Sequence, residues 1–349
     1  MITYIDTIKM DRNVKKAFFK PFKFLLPCLF LLFSGSSIAS TVLDSSAESN
    51  NYVAQTVMPL VANELMTVVG DGIGEALGMG GFGSSMRGQS SGDYYQDGQG
   101  VWFKIVGSGL KSTRAGGNYD GHQVSGMFGL DYTLDDTMLF GIAISMEDLD
   151  ITTSYNSGSF EGDGVSIFPY AGIKLRPNLL LNLMVGYSYL GYDTTRNGGI
   201  TGKFKGQRFL NQAELRANYM FGNLQIQPSM ELSYFHEVRD SYTESDNTYV
   251  PGNSISVGQY GTGLTASYRL DRMTPYLRLR ATHNFVQSEV STLTSGEIYS
   301  PEKFDYSIAL GNTYQISDSL NFVVEGAMGA LNQSDLSTWS LTSKIRFEW

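Results

Sequence analysis

The residues able to do chemistry are few in this 349-residue chain: three histidines, one cysteine and scattered carboxylates. His236-Glu237 with Asp240 is the densest local set. An imidazole beside a carboxylate can act as a general base if a nucleophile lies within hydrogen-bond reach. Ser233 is the nearest hydroxyl, and in an extended chain its spacing puts it on the opposite face from His236. The cluster names no nucleophile, so no catalysis is expected. His236 and His283 fall on segments with a third between them. Two strand spacings hold them roughly 10 Å apart, too far for one metal ligand set. Solvated histidines near strand ends, His122 among them, are the expectation. A stretch read as a loop, 149–162, carries with its flanks Asp148, Asp150, Glu161 and Asp163. They lack the spacing of a calcium loop, so a solvated acidic loop is expected. No metal or cofactor is anticipated.

The elements that position these residues begin with an export signal. Arg12, Lys15, Lys16, Lys20 and Lys23 precede an apolar core from Phe24 to Phe33. Ser37-Ile38-Ala39 offers small residues for cleavage, with Ser40 as the expected mature start. Cys28, the sole cysteine, lies inside the apolar core, so cleavage leaves no thiol for disulfides, metal or nucleophilic attack. Ser40 to Gln55 is polar. Val57 to Val69 has apolar residues at helical spacing, with Pro59 tolerated in a first turn and Gly70 as the expected stop. Gly78 to Gly100 is rich in Gly, Ser and Gln and reads as a linker.

From Val101 the period changes from 3.6 to two. Twelve alternating segments follow, near 101–109, 122–134, 137–148, 163–176, 178–192, 205–221, 223–238, 254–270, 273–287, 303–316, 319–332 and 336–349. The last eleven residues show the pattern clearly. Trp339, Leu341, Ile345, Phe347 and Trp349 line one face, while Lys344 and Arg346 line the other. An apolar edge ending on an aromatic makes sense against lipid. Glu214 and Arg216 in the sixth segment, Arg278 and Arg280 in the ninth, and Glu325 in the eleventh occupy the polar faces. With Lys344 and Arg346 they are expected to line a wet lumen, where mixed signs favour pairing around a plug over an ion-selective channel.

The connections support this architecture. Asp135-Asp136, Arg176-Pro177, Gly222-Asn223, Asp271-Arg272 and Ser317-Asp318 are tight turns, and between them longer loops are expected near 109–121, 149–162, 193–204, 239–253 and 288–302. No run of 18 apolar residues suits a membrane helix. A net charge of −9 argues against a nucleic-acid partner. A soluble sandwich would have shorter strands and less regular loops. The fold class expected is all-β: a 12-stranded antiparallel transmembrane β-barrel with a short N-terminal helix in the lumen.

An ordered series of short motifs then resembles the autotransporter β-domain family of type V secretion. Gly100-Val101-Trp102-Phe103-Lys104 is similar to that family's opening strand. Asn118-Tyr119-Asp120-Gly121 with Gly126, Gly129 and Asp131 resembles its second strand, and Gly141-Ile142-Ala143 its third. Leu232-Ser233-Tyr234-Phe235-His236-Glu237 with Asp240-Ser241-Tyr242 resembles the seventh, Pro275-Tyr276 the ninth, and the ending at Phe347 and Trp349 the last. The resemblance implies a bacterial outer-membrane barrel that moves an upstream passenger to the surface. It implies a β-signal at Trp339, Leu341, Ile345, Phe347 and Trp349, read by the barrel-assembly machinery after periplasmic chaperones deliver the chain. Trp349 stands where the family usually ends on Phe. Only Ser40 to about Gln55 remains for a passenger, so a translocator with little or no passenger is the expectation. A porin-like channel and an adhesin acting through long loops are the alternatives. Some family members cut themselves at paired asparagines inside the barrel; Asn50-Asn51 is such a pair, read here as part of a polar tail. The expected domains are 1–39 (signal), 40–100 (passenger remnant, helix and linker) and 101–349 (barrel). Outer-membrane lipid is the expected surrounding, and a monomer the expected state.

Overall fold

A computed structural model describes residues 52–55, 57, 63, 67, 70–77, 98–134, 137–287, 291–292, 298–299 and 302–349. All belong to one unit, Ser40–Trp349, distinct from Met1–Ala39. The signal segment, most of the Gly-rich linker and the Asn50-Asn51 pair lie outside the described residues.

Twelve strands form the wall. They are β1 Gly98–Ser112, β2 Tyr119–Leu134, β3 Met138–Thr153, β4 Gly158–Arg176, β5 Leu179–Arg196 and β6 Ile200–Ala217. Then come β7 Leu224–Arg239, β8 Asn253–Tyr268, β9 Met273–Gln287, β10 Phe304–Ser317, β11 Leu320–Gly329 and β12 Leu336–Glu348. Tyr219–Phe221 continues β6 after a break at Asn218 and pairs with the start of β7. Each strand pairs antiparallel with its sequence neighbours, and β12 returns to β1 with Gly100 opposite Glu348 and Ser112 opposite Leu336. Gln99 and Trp349 exchange backbone hydrogen bonds of 3.1 and 3.0 Å. Every barrel strand therefore has two partners, so the wall has no free edge.

The wall is apolar outside and polar inside. On β3, Phe140, Ile142, Ile144 and Met146 point outward, Met146 being 67% exposed, while Ser145 and Glu147 are buried. On β6, Arg208, Gln212 and Glu214 are buried while Phe209 and Leu215 are exposed. In water that distribution would cost free energy at every residue; in a bilayer it removes apolar surface from water and keeps the charges paired in the lumen.

Three connections correct the sequence reading. The stretches near 109–121, 149–162 and 193–204 are mostly strand, because β3 runs to Thr153, β4 starts at Gly158 and β5 reaches Arg196. Asp148 and Asp150 face outward on β3, directly opposite Asp163 and Glu161 on β4. These acids belong to a strand pair that continues beyond the apolar band, which ends one step earlier where Met146 faces Val165. Their inward neighbours Leu149, Ile151 and Phe160 stay buried, which keeps the pairing favourable in water. Among the described residues, the long connection is 240–252, with a small hairpin of Tyr242–Thr243 and Tyr249–Val250.

The helix also differs from expectation. Residues 52–55 and 70–76 are helical, as are the described positions 57, 63 and 67. Gly70 does not stop it. A methyl group at Gly70 would lie 2.8 Å from Glu214 Oε2, so glycine here brings the helix backbone against the wall.

Candidate functional site

The site is the interface between this helix and the lumen. Thr67, Asp71 and Glu75 recur every four residues, so they share one face of the helix. Each meets a cation from a different part of the wall. Thr67 Oγ1 accepts from Arg280 Nη1 at 2.7 Å. Asp71 lies between Arg216 at 3.0 Å and Arg278 at 2.7 Å. Glu75 takes Lys344 at 2.6 Å. Those partners come from β6, β9 and β12, so one helical stripe ties together distant parts of the barrel.

The opposite face is apolar and close-packed. Ile73 is fully buried and Leu77 nearly so. A methyl group at Gly172 on β4 would overlap Ile73 Cγ2 and lie 2.9 Å from Leu77 Cδ1. The helix is therefore seated asymmetrically: apolar contact on the β4 side, ion pairs toward β9 and β12. Among the described residues, two clefts on the ion-pair side bear on the site. One is lined by Thr67, Glu214, Arg216, Glu231 and Arg280 among others, the other by Asp71, Glu75, Lys104, Glu325 and Lys344 among others.

Charged layers close the lumen above and below. Toward the tight-turn end, Arg346 donates to both oxygens of Asp131 at 2.6 and 2.9 Å and to Glu348 at 2.6 Å. Tyr170 also donates to Asp131, and Trp102 Nε1 donates to Tyr170, each at 3.0 Å. Toward the loop end, Arg208 crosses from β6 to Glu147 on β3 and Glu237 on β7, at 2.9 Å each. Arg239 completes this layer with Glu237 at 2.7 Å, and its guanidinium sits over the rings of Phe160, Tyr192 and Phe204. Buried charges of this kind persist only when paired and hydrogen-bonded.

Of the residues expected to line the lumen, Glu214, Lys344 and Arg346 are buried and Arg216, Arg278 and Arg280 half-buried. Glu214 pairs with Arg216, and Arg280 with Glu231. Arg346 belongs to the lower layer and not to the helix contact. Sequence reading missed Asp71, Glu75, Glu147, Arg208, Arg239 and Tyr170, and gave Lys104, Glu237 and Trp102 no place in the lumen. The four-residue spacing of Thr67, Asp71 and Glu75 was a readable signal, hidden by stopping the helix at Gly70. Of the terminal residues, Trp339, Leu341, Ile345, Phe347 and Trp349 are exposed, and Phe347 stacks on Trp349.

The histidines lie on the outer wall. His122 is exposed. His283 is packed between the rings of Tyr260 and Phe304, which is not the solvated position expected for it. His236 Nδ1 lies 2.8 Å from Ser256 Oγ, a serine the sequence reading did not consider. A triad would need an orienting carboxylate or amide beyond the imidazole; the residue opposite His236 on β6 is Phe209. Among the described residues, no group of three or more His, Cys, Asp or Glu could hold a metal.

A sequence model described as "Autotransporter beta-domain" matches residues 101–327. The chain belongs to the autotransporter β-domain family. Strand β12 falls beyond the matched residues and completes the same barrel by pairing with β1 and β11. The solved translocator domain of autotransporter NalP from Neisseria meningitidis is similar at a TM-score of 0.68 and 12% identity, over 87% of this chain and 99% of that one. The transport unit of the autotransporter AIDA-I from Escherichia coli has a TM-score of 0.60 and 17% identity, over 87% and 99%. The β-domain of the Bordetella autotransporter BrkA has a TM-score of 0.60 and 15% identity, over 72% and 99%. No curated protein matches the chain. As an autotransporter β-domain, it is a transport barrel of the bacterial outer membrane, with lipid around its apolar band.

Proposed function

We propose that this autotransporter barrel is a translocator held closed by its own helix. The direction of the helix carries the proposal. Its beginning lies at the loop end, where Tyr52 donates a 2.8 Å hydrogen bond to Gly117 O between β1 and β2 and meets the Tyr119 and Tyr155 rings edge-on. Its end lies near the tight turns, with Ile73 and Leu77 against Gly172. The described part of the helix thus runs from the loop end of the lumen to the tight-turn end, the end at which β1 begins. That is the path of a segment drawn outward through the lumen and stopped there. Asn50 and Asn51 directly precede this buried tyrosine.

The remaining assignments rest on the same reading. Signal cleavage after Ala39 releases the chain to the periplasm, where chaperones carry it to the barrel-assembly machinery. The machinery reads β12 through Trp339, Leu341, Ile345, Phe347 and Trp349. The barrel works as a monomer without catalysis. Planar-bilayer recording of the full chain tests the closed state. Small, infrequent openings that grow on deletion of residues 41–80 are expected. Steady large conductance unaffected by that deletion would identify a porin-like channel instead.

A further inference from the structure

The charges along the two clefts do not balance until the helix is counted. Lys104, Arg216, Arg278, Arg280 and Lys344 line them, against Glu214, Glu231 and Glu325. Five cations and three carboxylates leave the wall an excess of two positive charges. Asp71 and Glu75 on the helix supply two negative charges, each placed on the wall's cations. The helix is thus both plug and counter-ion. The charged layers at either end are separate, since Asp131 has Arg346 and Glu237 has Arg208 and Arg239.

We infer that the mid-lumen wall is an anion-binding surface, occupied at rest by the helix carboxylates and exposed whenever the helix leaves. The open pore then selects anions, and the wall receives carboxylate-bearing peptide in place of Asp71 and Glu75. The geometry supports this class of ligand. Arg216 and Arg278 converge on one carboxylate from β6 and β9, and Lys344 takes a second, one helical turn further on. Planar guanidinium pairs suit carboxylates. Charged side chains lining a pore, in a low-dielectric setting, set its ion preference. This inference rests on the helix-plugged reading above.

The test uses the full chain in planar bilayers under a potassium chloride gradient. Asp71→Asn with Glu75→Gln keeps the helix nearly isosteric and removes the two charges that meet the wall's cations. Openings should become more frequent, with chloride favoured over potassium roughly fivefold to tenfold, as a lumen potential near kT per unit charge produces. Adding Arg278→Gln and Lys344→Gln should keep the openings and bring that preference to near unity. Frequent openings without anion preference, or with cation preference, overturn the inference and leave the plug standing. Wild-type protein that already conducts as fully as the double variant overturns the plug itself. Unchanged rare openings in the double variant refute Asp71 and Glu75 as the neutralising anchors. Heat-modifiable migration in gels confirms that each variant has folded.

Discussion

A single methyl group at Gly172 should dislodge the helix without harming the barrel. Gly172 faces the lumen from β4, and a Cβ there overlaps Ile73 Cγ2 and presses on Leu77 Cδ1 at 2.9 Å. Neither neighbour has room to retreat, since Ile73 is fully buried and Leu77 nearly so. Overpacking of this kind costs about 1–3 kcal/mol. The cost falls only on the docked helix, because the strand itself tolerates alanine. Gly172→Ala should therefore raise the undocked fraction by about 5- to 150-fold. Single-channel open probability reads that fraction directly, and heat-modifiable gel migration reports the intact barrel. Ile73→Ala removes the overlapping carbon, so its cost in the Gly172→Ala background should be smaller than in the wild type. A double-mutant cycle measures that coupling. Unchanged open probability in Gly172→Ala, or strictly additive effects with Ile73→Ala, would refute the seating of the helix against β4.

Further expectations follow from other contacts. Arg208→Met strands Glu147 without the cation that reaches it from β6; it should cost about 3–5 kcal/mol, read as a lower midpoint of heat-modifiable unfolding, and adding Glu147→Gln should recover part of it. In the loops, Arg114 hydrogen-bonds Asp335 and holds its carboxyl below the ordinary value. A depressed pKa means that this stabilisation is present above the ordinary value and is lost as pH falls through the lowered one. Asp335→Asn should thus destabilise by about 0.2–1 kcal/mol at neutral pH and by nothing once the carboxyl is protonated, as hydrogen exchange of the 330–335 segment at several pH values can check. Removal of Phe347-Glu348-Trp349 should lower the amount of folded barrel in the outer membrane; equal amounts would exclude a signal in β12.

The barrel was legible because lipid demands a strict period of two on the outer face, and twelve segments obeyed it. Legibility failed where that demand ends. Above Met146 and Val165 the outward positions become Asp148 and Asp163, which look like loop residues although the backbone pairing continues. The helix was found by its apolar spacing but cut short at Gly70, since glycine usually ends a helix in water and here serves close approach to Glu214. Lumen cations on β6, β9 and β12 could be recognised by face. Their partners could not, because Asp71 meets Arg278 across 207 residues of chain and only barrel closure brings the two together. Arg208 and Arg239 went unread for a related reason: their carboxylates lie on other strands, or two residues along the same one.

The lower charged layer bears on how the barrel closes. Arg346 arrives on the last strand, and Asp131 waits on the second. Should β12 slip by one residue, Arg346 would turn into lipid and Phe347 into the lumen. A slip by two keeps the faces but moves Arg346 from its place opposite Trp102 and Glu348 from its place opposite Gly100. In the native register Asp131 has its cation, and Tyr170 and Trp102 complete the chain of donors. The buried pair therefore favours the native seam at ring closure over one slipped by a single residue, in which Asp131 would be left without its cation.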